Sequence, residues 1–243
     1  MNIYETERLL DEYLLFHYGA DDEVLPWAFG PKEALGFARR SVTELLDSAT
    51  VSKQARALDL GCAVGRSSYE LARECHEVIG VDYSQRFIKT AETIRREGSV
   101  KYLRHDEARA STPLIARRPP DAEARRIRFE TGDAEELRKD LGAFDVVHAA
   151  NLLCRLSQPR KLLRRLPALV KPGGQLLLTT PCTWLEEFTP AAHWPKGSTL
   201  DWLEEKLAPQ FTLMHRADLP FLIREHARKF QWSVALGTRW LRS

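Results

Sequence analysis

The 243-residue sequence lacks a dominant charge, a long apolar run and closely paired cysteines. A net charge of +2 gives no global argument for nucleic acid binding, which usually requires a strongly basic face. The four cysteines, Cys62, Cys75, Cys154 and Cys182, are too scattered for a C-x-x-C metal pattern, so no metal site is expected. We expect them to be reduced thiols, as in cytosolic enzymes.

The sequence pattern also lacks a targeting or membrane segment. The first residues carry acids where a signal peptide would carry lysine or arginine, and no apolar run approaches the roughly 20 residues that span a bilayer. We therefore expect a cytoplasmic protein that binds neither membranes nor nucleic acid. A chain of this length can bury one sizeable core.

The glycine motif of dinucleotide-binding folds is present only in part. Residues 57–65 read Ala-Leu-Asp-Leu-Gly-Cys-Ala-Val-Gly, which predicts an apolar strand followed by a turn with glycine at both ends. Glycine lets the backbone bend sharply and lie against a ligand. Where Gly-x-Gly-x-x-Gly would place its second and third glycines, this chain has Ala63 and Arg66, and both disfavour a pyrophosphate.

Two carboxylates accompany this turn. Asp59 lies near the end of the first predicted strand, where it could hold a cationic amino-acid group. Asp82 closes a second apolar strand at residues 78–82, and an acid at that place suits a ribose diol. The pattern therefore predicts a nucleoside cofactor.

The arrangement resembles the class I S-adenosylmethionine-dependent methyltransferases, and the resemblance continues in order along the chain. Residues 129–133 match the third strand with its acidic end, residues 144–151 match the fourth, and residues 169–179 match a turn and the fifth. The resemblance implies S-adenosylmethionine as cofactor and S-adenosylhomocysteine as product. It implies these cofactor-binding residues: Asp59, Gly61, Cys62, Ala63, Gly65, Arg66, Asp82, Tyr83, Ser84, Asp133, Ala134, Asn151 and Leu152.

The expected fold is α/β and Rossmann-like, with a seven-stranded mostly parallel sheet, helices on both faces and an N-terminal helical cap. We expect a single methyltransferase domain over residues 1–243. Its parts are the cap at 1–50, the cofactor-binding core at 51–181 with an insertion near 98–126, and a substrate-side cap with the terminal strands at 182–243.

Local patterns predict the remaining elements. One amphipathic helix covers residues 9–17, and a second begins after Gly30-Pro31 and continues to Leu46. The arginine- and proline-rich residues 98–126 predict a partly mobile surface insertion. A helix at 200–207 and strands at 211–214 and 233–241 complete the chain, the two strands forming an antiparallel edge pair.

Segments beside the cofactor motifs resemble the N-methyltransferases of ovothiol biosynthesis. These segments are residues 4–6, 12–19, 25–31, 149–155, 183–190 and 223–232. The resemblance implies methylation of the π nitrogen of the imidazole of 5-thiohistidine, a small-molecule acceptor. It also implies a sulfoxide synthase that is a separate protein in the same pathway. A selenium analogue of the acceptor would fit the same pocket, and the oligomeric state stays open.

Selecting one ring nitrogen requires a firm hold on the amino-acid end of the acceptor. A guanidinium suits its carboxylate and a carboxylate suits its ammonium. Arg224, Arg155 and Arg228 are candidates for the first role, and Glu187 and Glu225 for the second. We favour Arg224 and Glu187, because both follow segments expected at the ligand edge of the sheet.

Other polar and aromatic residues are candidates for the acceptor site. His17 and Tyr18 either pack at the end of the first helix or turn polar tips toward the acceptor, and Trp184 is either core or a wall for the imidazole. Asn151 is expected to orient a ligand at the reactive end, with Glu187 as the second catalytic candidate. His148 is expected to be a satisfied sheet residue rather than a catalyst.

Three other functions remain open from the sequence. One is methylation of another small acceptor, such as free histidine or a thiol. Another is a nicotinamide-dependent oxidoreductase, which Ala63 and Arg66 disfavour. The last is a cofactor-binding module without catalysis that acts as a partner of the synthase.

Overall fold

The computed structural model describes residues 3–243, so the first two residues of the predicted cap lie outside the described part. In chain order, the strands are β1 (Arg56–Leu60), β2 (Glu77–Asp82), β3 (Ser99–Glu107), β4 (Ala110–Arg117), β5 (Ile127–Thr131), β6 (Phe144–Ala150), β7 (Val170–Thr180), β8 (Phe211–His226) and β9 (Lys229–Arg242).

The helices alternate with the strands of the core. They are α1 (Glu7–Tyr18), α2 (Asp21–Val24), α3 (Phe37–Thr43), α4 (Arg66–Glu74), α5 (Gln85–Glu97), α6 (Pro159–Leu169) and α7 (Thr199–Leu207). Short 3-10 helices lie at Ile3–Glu5, Lys32–Ala34, Ser48–Thr50, Ala124–Arg126, Lys139–Leu141, Leu153–Arg155 and Ala191–His193.

Seven strands form one sheet in the order β5-β2-β1-β6-β7-β9-β8. The first five in that order are parallel, and β9 and β8 are antiparallel to their neighbours. The predicted seven-stranded, mostly parallel sheet is therefore confirmed. Because chain order reverses between β1 and β6, the carboxyl ends of these strands flank a crevice that can receive a ligand.

Helices pack on both faces of this sheet, as predicted. Alternate residues of β1 belong to opposite cores: Ala57 lies in the core that contains Phe37 and Phe87, and Leu58 lies in the core that contains Leu162 and Trp202. The first core lies under α1, α3, α4 and α5, and the second under α6 and α7. Each fully buried leucine or phenylalanine contributes about 2 kcal/mol by removal of apolar surface from water.

The N-terminal cap has a shorter second helix than predicted. Residues Lys32–Ala34 form a single 3-10 turn, Leu35 is extended, and α3 begins only after Gly36, whose φ is +67°. A left-handed residue cannot continue a right-handed helix, so the apolar spacing of Ala34 and Leu35 belongs to a different element. Helix α1 begins at Glu7, two residues before the predicted helix, with the Thr6 hydroxyl accepting a hydrogen bond from the amide of Leu9.

The insertion contains a β-hairpin, where the sequence indicated no regular element, and its partial mobility stays a prediction. Strands β3 and β4 pair antiparallel, and Tyr102 and Ala116 are buried in the core beneath α1. The amide of Leu103 donates to the Asp11 carboxylate at 3.3 Å and ties the hairpin to α1.

The edge pair is much longer than predicted. Strands β8 and β9 extend as one hairpin from the sheet edge to a turn near Ala227, so residues 223–232 belong to its tip. Within residues 3–243, no helix combines the length and apolar composition needed to cross a bilayer. The predicted domain boundaries stay a prediction.

Candidate active site at the carboxyl ends of the strands

A cavity of about 860 Å³ opens where the carboxyl ends of β1, β2, β5 and β6 meet the N-terminal cap. Its floor includes the turn after β1, and its other walls come from α1, α3, the segment after β7 and the β8–β9 hairpin. Sites for drug-sized ligands occupy about 300–1,000 Å³, so this cavity has room for a cofactor and a small second molecule.

The turn after β1 has an unusual backbone that only small residues permit. Gly61, Ala63 and Gly65 have φ values of +69°, +48° and +86°. A Cβ on Gly61 would approach a methyl of Leu152 to 3.1 Å. Ala63 adopts a left-handed conformation at a cost of about 1–2 kcal/mol, and its amide donates to Asp82 at 2.9 Å. The strained Ala63 backbone therefore supplies the amide that holds the Asp82 carboxylate in place.

Asp82 at the end of β2 is held from two sides. One carboxylate oxygen accepts from the Ala63 amide and the other from the Ser84 amide, each at 2.9 Å. Burial raises the pKa of Asp82 to about 6 although both amides favour the ionised form. Each oxygen keeps a lone pair on the cavity wall, which is the arrangement that a vicinal diol requires.

Asp133 and Ala134 continue the wall beyond β5. The Asp133 carboxylate accepts from the Glu135 amide at 2.8 Å, which fixes the loop after the strand. Glu135 also lines the cavity and accepts from the Ser157 hydroxyl at 2.8 Å. This loop offers acceptors and a backbone amide to a planar base.

Asn151 follows β6 in a left-handed conformation with φ of +52°. Its backbone amide donates to the Thr179 carbonyl at 2.9 Å, and its side-chain oxygen accepts from the Thr179 hydroxyl at 2.9 Å. The oxygen is thereby engaged on β7, so the side-chain NH₂ is the end of Asn151 available to a ligand in the cavity.

An aromatic wall that the sequence did not reveal closes one side of the cavity. It consists of Phe188, Tyr4, Tyr13, Phe16 and Phe221. Successive ring centroids in this order lie 6.3, 6.3, 6.5 and 6.2 Å apart. Tyr13 and Phe16 have the spacing of a core-facing stripe on α1, so only the position of the cavity identifies them as part of its wall.

Arg155 and His17 bring polar atoms to this aromatic side. The Arg155 guanidinium lies 4.7 Å from the Phe188 ring centre and donates to the Thr183 carbonyl at 3.3 Å. Burial raises the pKa of the Tyr4 hydroxyl, and the adjacent Arg155 opposes that shift. Burial lowers the pKa of His17 to about 3, so its imidazole is neutral. Its Nδ1 has no hydrogen-bond partner among residues 3–243.

The charge of the wall favours a cationic ligand. Four carboxylates line the cavity, those of Asp82, Asp133, Glu135 and Glu187. Among the described residues of the lining, Arg155 carries the one permanent positive charge. A sulfonium or an ammonium suits this balance, whereas a pyrophosphate would add negative charge to it. The structure thus strengthens the case against a dinucleotide.

Most of the predicted site residues meet at this cavity. Those on its wall are His17, Gly61, Ala63, Asp82, Tyr83, Ser84, Asp133, Ala134, Asn151, Leu152, Arg155 and Glu187. Glu187 is exposed and carries no hydrogen bond to the described residues, which leaves its carboxylate available. Their assignment to cofactor or acceptor stays a prediction.

Four residues of the predicted cofactor set lie outside the lining. Asp59 is buried, and its carboxylate is occupied by Ser67, Ser68 and His148, which corrects its expected contact with an amino-acid group. Cys62 is buried beneath the turn. Gly65 ends the turn and faces the Phe129 ring, and Arg66 pairs with Glu70 along α4.

Two aromatic residues have structural partners instead of the expected place on the acceptor wall. The Tyr18 hydroxyl donates to the Val64 carbonyl at 2.8 Å and so links the end of α1 to the turn after β1. The Trp184 indole donates to Thr199 at 3.1 Å and packs edge-on against Trp202. Of the two alternatives for Trp184, the structure therefore shows core packing.

The favoured carboxylate-binding residue, Arg224, is also placed elsewhere. Its side chain is 3% exposed, donates to the Glu23 carbonyl at 2.8 Å and pairs with Asp106 at 3.1 Å. Glu225 accepts from Gln231 and pairs with Lys229 at the hairpin tip. Arg228 lies over the Trp27 ring. The expectation that Arg224 and Glu225 hold the acceptor is corrected, because neither lines the cavity.

Comparisons with known proteins place the chain in a family. Residues 32–205 match the family model described as a methyltransferase domain. The chain is 27% identical over 128 residues to the ubiquinone biosynthesis O-methyltransferase of Coxiella burnetii, covering 53% of this chain and 44% of that protein. It is 25% identical over 154 residues to the enzyme of that name from Xanthomonas axonopodis pv. citri, covering 63% and 54%. The matches span about half the length of these curated relatives.

Solved structures share the fold over most of the chain. The N-methyltransferase NodS of Bradyrhizobium japonicum WM9, in complex with S-adenosylhomocysteine, superposes with a TM-score of 0.56 at 19% identity, covering 96% of this chain and 98% of that one. The [4+2]-cyclase SpnF superposes with a TM-score of 0.57 at 20% identity, covering 89% and 74%. At these identities the likeness establishes the fold alone.

The chain therefore belongs to the methyltransferase domain family, in the class I fold of S-adenosylmethionine-dependent enzymes. The site fits that cofactor on its own chemistry. Asp82 offers acceptors for the ribose diol, Asp133 and the Ala134 amide offer partners for adenine, and the carboxylate-rich wall suits a sulfonium.

Proposed function

We propose that the protein transfers a methyl group from S-adenosylmethionine to the π nitrogen of the imidazole of 5-thiohistidine, giving ovothiol A. The observation that carries the proposal is one cavity in which the Asp82 and Asn151 end continues into an aromatic chamber with a single arginine. A flat heteroaromatic amino acid needs these features, because its ring stacks on aromatic faces and its carboxylate pairs with a guanidinium.

The residues of the chain position both molecules. When bound, S-adenosylmethionine supplies an electrophilic methyl group on a sulfonium. Asp82 in its ionised form accepts from the ribose hydroxyls, and the Asn151 NH₂ donates at the reactive end of the cavity. The aromatic wall excludes water from the space between the two reactants. In-line displacement needs a nitrogen about 3 Å from the methyl carbon, and such alignment can supply several kcal/mol.

Arg155 replaces Arg224 as the proposed partner of the acceptor carboxylate, and Glu187 remains the proposed partner of its ammonium. Arg155 is fixed by Thr183 and Phe188, so its guanidinium loses little freedom on binding. Holding both ends of the amino acid places one ring nitrogen, rather than the other or the sulfur, toward the methyl group. The proposal also includes a separate sulfoxide synthase as a partner in the same pathway and the selenium analogue as a second possible acceptor.

A second candidate function is O-methylation of a small phenolic acceptor. It is favoured by the similarity to proteins named ubiquinone biosynthesis O-methyltransferase. The aromatic wall would also accommodate a phenol ring. A phenol without a carboxylate gives Arg155 no partner, and this separates the two candidates.

The test is mass spectrometry of products formed by purified protein with S-adenosylmethionine and 5-thiohistidine, free histidine or a simple catechol in parallel. A ring-N-methylated thiohistidine as the main product would support the proposal. An O-methylated catechol as the main product would replace it with the second candidate. Cofactor binding without any product would favour a binding module.

Arg155→Gln is the variant that tests the proposed hold on the acceptor. Loss of a charged hydrogen-bond partner costs about 1.5–3 kcal/mol, so we expect the acceptor KM to rise roughly 10- to 100-fold. Calorimetry should show unchanged cofactor affinity. The matched control is Arg109→Gln, at an exposed hairpin residue outside the cavity. An unchanged KM in Arg155→Gln would contradict this assignment.

A further inference from the structure

A chain of three buried polar side chains runs from the sheet to the cavity wall. Asp59 on β1 and His148 on β6 face each other in adjacent parallel strands, and the Asp59 Oδ1 lies 2.8 Å from the His148 Nδ1. The His148 Nε2 lies 3.1 Å from the Ser41 hydroxyl on α3. All three side chains are buried, and Ser41 lines the cavity.

Asp59 remains ionised inside the protein. Burial alone would raise its pKa, but hydrogen bonds from His148, Ser68 and Ser67 hold the pKa below its usual value. The two serine hydroxyls donate to Oδ2 at 2.8 and 2.6 Å. Serines carry no charge, so His148 is the bonded group that can balance the carboxylate by taking up a proton.

Other titratable groups surround this pair on the neighbouring elements. Those that interact electrostatically with Asp59 are His17 and Tyr18 on α1, Cys62 in the turn and Asp82 on β2, and Arg66 on α4 acts on His17. Burial raises the pKa of Tyr18 and Cys62, so these two stay neutral near pH 7.

Ser41 is placed to serve both protonation states of His148. Its Oγ lies 3.3 Å from the Ala38 carbonyl as well as 3.1 Å from Nε2. With neutral His148, the hydroxyl donates to Nε2. With protonated His148, the hydroxyl accepts from Nε2 and donates to the Ala38 carbonyl. The change requires rotation of one O–H bond and no movement of heavy atoms.

The other groups on the wall are poor bases for a protonated acceptor. Burial lowers the pKa of His17 to about 3, and burial raises the pKa of Tyr4 and Tyr13. Asp82 and Asp133 are assigned to the cofactor, Glu187 to the acceptor ammonium, and Glu135 accepts from the Ser157 hydroxyl. Ser41 therefore gives the acceptor side of the cavity access to a base that lies behind the wall.

We propose that Ser41, His148 and Asp59 form a proton path that removes the proton from the attacking atom of the acceptor during methyl transfer. This inference rests on the proposed function. As the N–H bond of the attacking nitrogen breaks, its electron pair stays on nitrogen and forms the new bond to the methyl carbon, while the bond from sulfur to that carbon breaks and its electron pair stays on sulfur. The acceptor proton passes to the Ser41 oxygen, the Ser41 proton passes to Nε2, and the imidazolium is stabilised by Asp59.

The test compares Ser41→Ala with Ser68→Ala. Both variants remove a buried hydroxyl from the same cluster, but Ser68 donates only to Asp59 and lies outside the lining. In the wild type, the single-turnover methylation rate should rise with pH to a plateau, because a base assists removal of the acceptor proton. Ser41→Ala should lower the rate about 100-fold and abolish this rise. Ser68→Ala should retain the rise.

Two results of this comparison would overturn the proton path. One is a Ser41→Ala enzyme with the rate and pH profile of the wild type. The other is an equal loss of rate in both variants with the profile retained, which would assign the cluster a structural role. Cofactor affinity and thermal stability measured on the same samples identify a variant that has lost its fold.

A second measurement needs no acceptor and separates this inference from the proposed function. In ¹⁵N-histidine NMR with S-adenosylhomocysteine bound, the His148 ring is identified by an Nδ1 proton shifted downfield by its carboxylate partner. We expect the Nε2 shift of this ring to change in Ser41→Ala and to be retained in Ser68→Ala. An Nε2 shift that is the same in the wild type and in Ser41→Ala overturns the path, even if the wild type methylates none of the acceptors.

Discussion

At the scale of single residues, Asp82 couples ligand binding to pH. Its pKa of about 6 lies above the ordinary value of 3.8, chiefly because the carboxyl is buried. The ribose hydroxyls need the ionised form as acceptor, so cofactor affinity should be full near pH 7 and fall as the pH decreases through 6. We expect about tenfold weaker binding at pH 5 than at pH 7, measured by calorimetry.

Asp82→Asn is the control for this pH dependence. The amide keeps the shape of the side chain but has one acceptor oxygen and no titration in this range. The variant should bind S-adenosylhomocysteine more weakly at pH 7 and show little change in affinity between pH 5 and 7. A tenfold decrease that persists in the variant would show that another group titrates.

Gly65 and Gly173 allow a clash to be separated from backbone strain. Both have positive φ, +86° and +77°, but a Cβ on Gly65 would lie 2.5 Å from the Phe129 ring, whereas a Cβ on Gly173 would meet nothing within 4 Å. Gly173→Ala should cost about 1 kcal/mol of unfolding free energy from conformation alone. Gly65→Ala should cost about 3 kcal/mol, because the rigid ring must also move. Urea unfolding measures both, and equal losses would contradict the clash.

The sequence predicts the site residues whose roles depend on position along a strand. Asp82, Asp133 and Asn151 follow apolar strands, and parallel strands bring their carboxyl ends together, so these residues were found. Arg224 was misplaced because a charged residue near the ligand edge is ordinarily exposed. Its burial depends on Asp106 in the hairpin insertion, whose pairing no local pattern indicates.

At the scale of elements, Arg224 holds three segments together. It lies on β8, donates to the carbonyl of Glu23 at α2 and pairs with Asp106 on β3. Arg224→Ala should lower the unfolding free energy by about 2 kcal/mol, because Asp106 keeps its pair with Arg104 and only part of the buried network is lost. Thermal or urea unfolding measures the loss.

The matched control is Arg216→Ala, on the same strand at an exposed position. Its effect should stay within about 0.5 kcal/mol. At a temperature where both variants are folded, the acceptor KM of Arg224→Ala should equal that of the wild type. A raised KM with normal stability would return Arg224 to the acceptor site.

The strands of the parallel core could be predicted because they are short apolar runs between turns. The insertion could not be predicted in this way. Each of its strands, β3 and β4, has one buried residue among partly or fully exposed ones, and β4 includes Pro113. The lengths of β8 and β9 were also missed. Their outer parts carry polar residues such as Arg224 and Gln231. Such polarity is typical of loops, but here each of the two pairs with a residue on the opposite strand of the hairpin.

At the scale of the whole molecule, the cap and the sheet meet through the cavity. Tyr4, Tyr13, Phe16 and His17 of the cap line it, and the Ser84 hydroxyl at the start of α5 donates to the Tyr4 carbonyl at 3.0 Å. A ligand that fills the cavity adds contacts to both parts. It should therefore suppress local opening of the cap.

Hydrogen exchange with and without S-adenosylhomocysteine tests this coupling. Amides of α1 should exchange at least tenfold more slowly when the ligand is bound. Helix α7 packs in the other core, beneath the opposite face of the sheet, and its local exchange is the internal control. Equal slowing in α1 and α7 would indicate global stabilisation rather than closure of the cap.

The architecture as a whole followed from the order of the strand motifs, whereas the aromatic chamber of the cavity did not. The chamber is built from an apolar helix face, the segment after β7 and the far end of a hairpin, which are distant in sequence. In a linear pattern, Tyr13 and Phe16 are indistinguishable from core residues. Only the three-dimensional packing leaves them beside an open space.

The Phe129 ring limits how this sequence can change over evolutionary time. A Cβ on Gly65 would lie 2.5 Å from this ring and a Cβ on Gly80 would lie 2.7 Å from it, so one aromatic side chain disfavours substitution both in the turn after β1 and within β2. Either glycine acquires a side chain at lower cost after the ring has been replaced by a smaller residue. Homologous sequences should therefore vary at these three positions together.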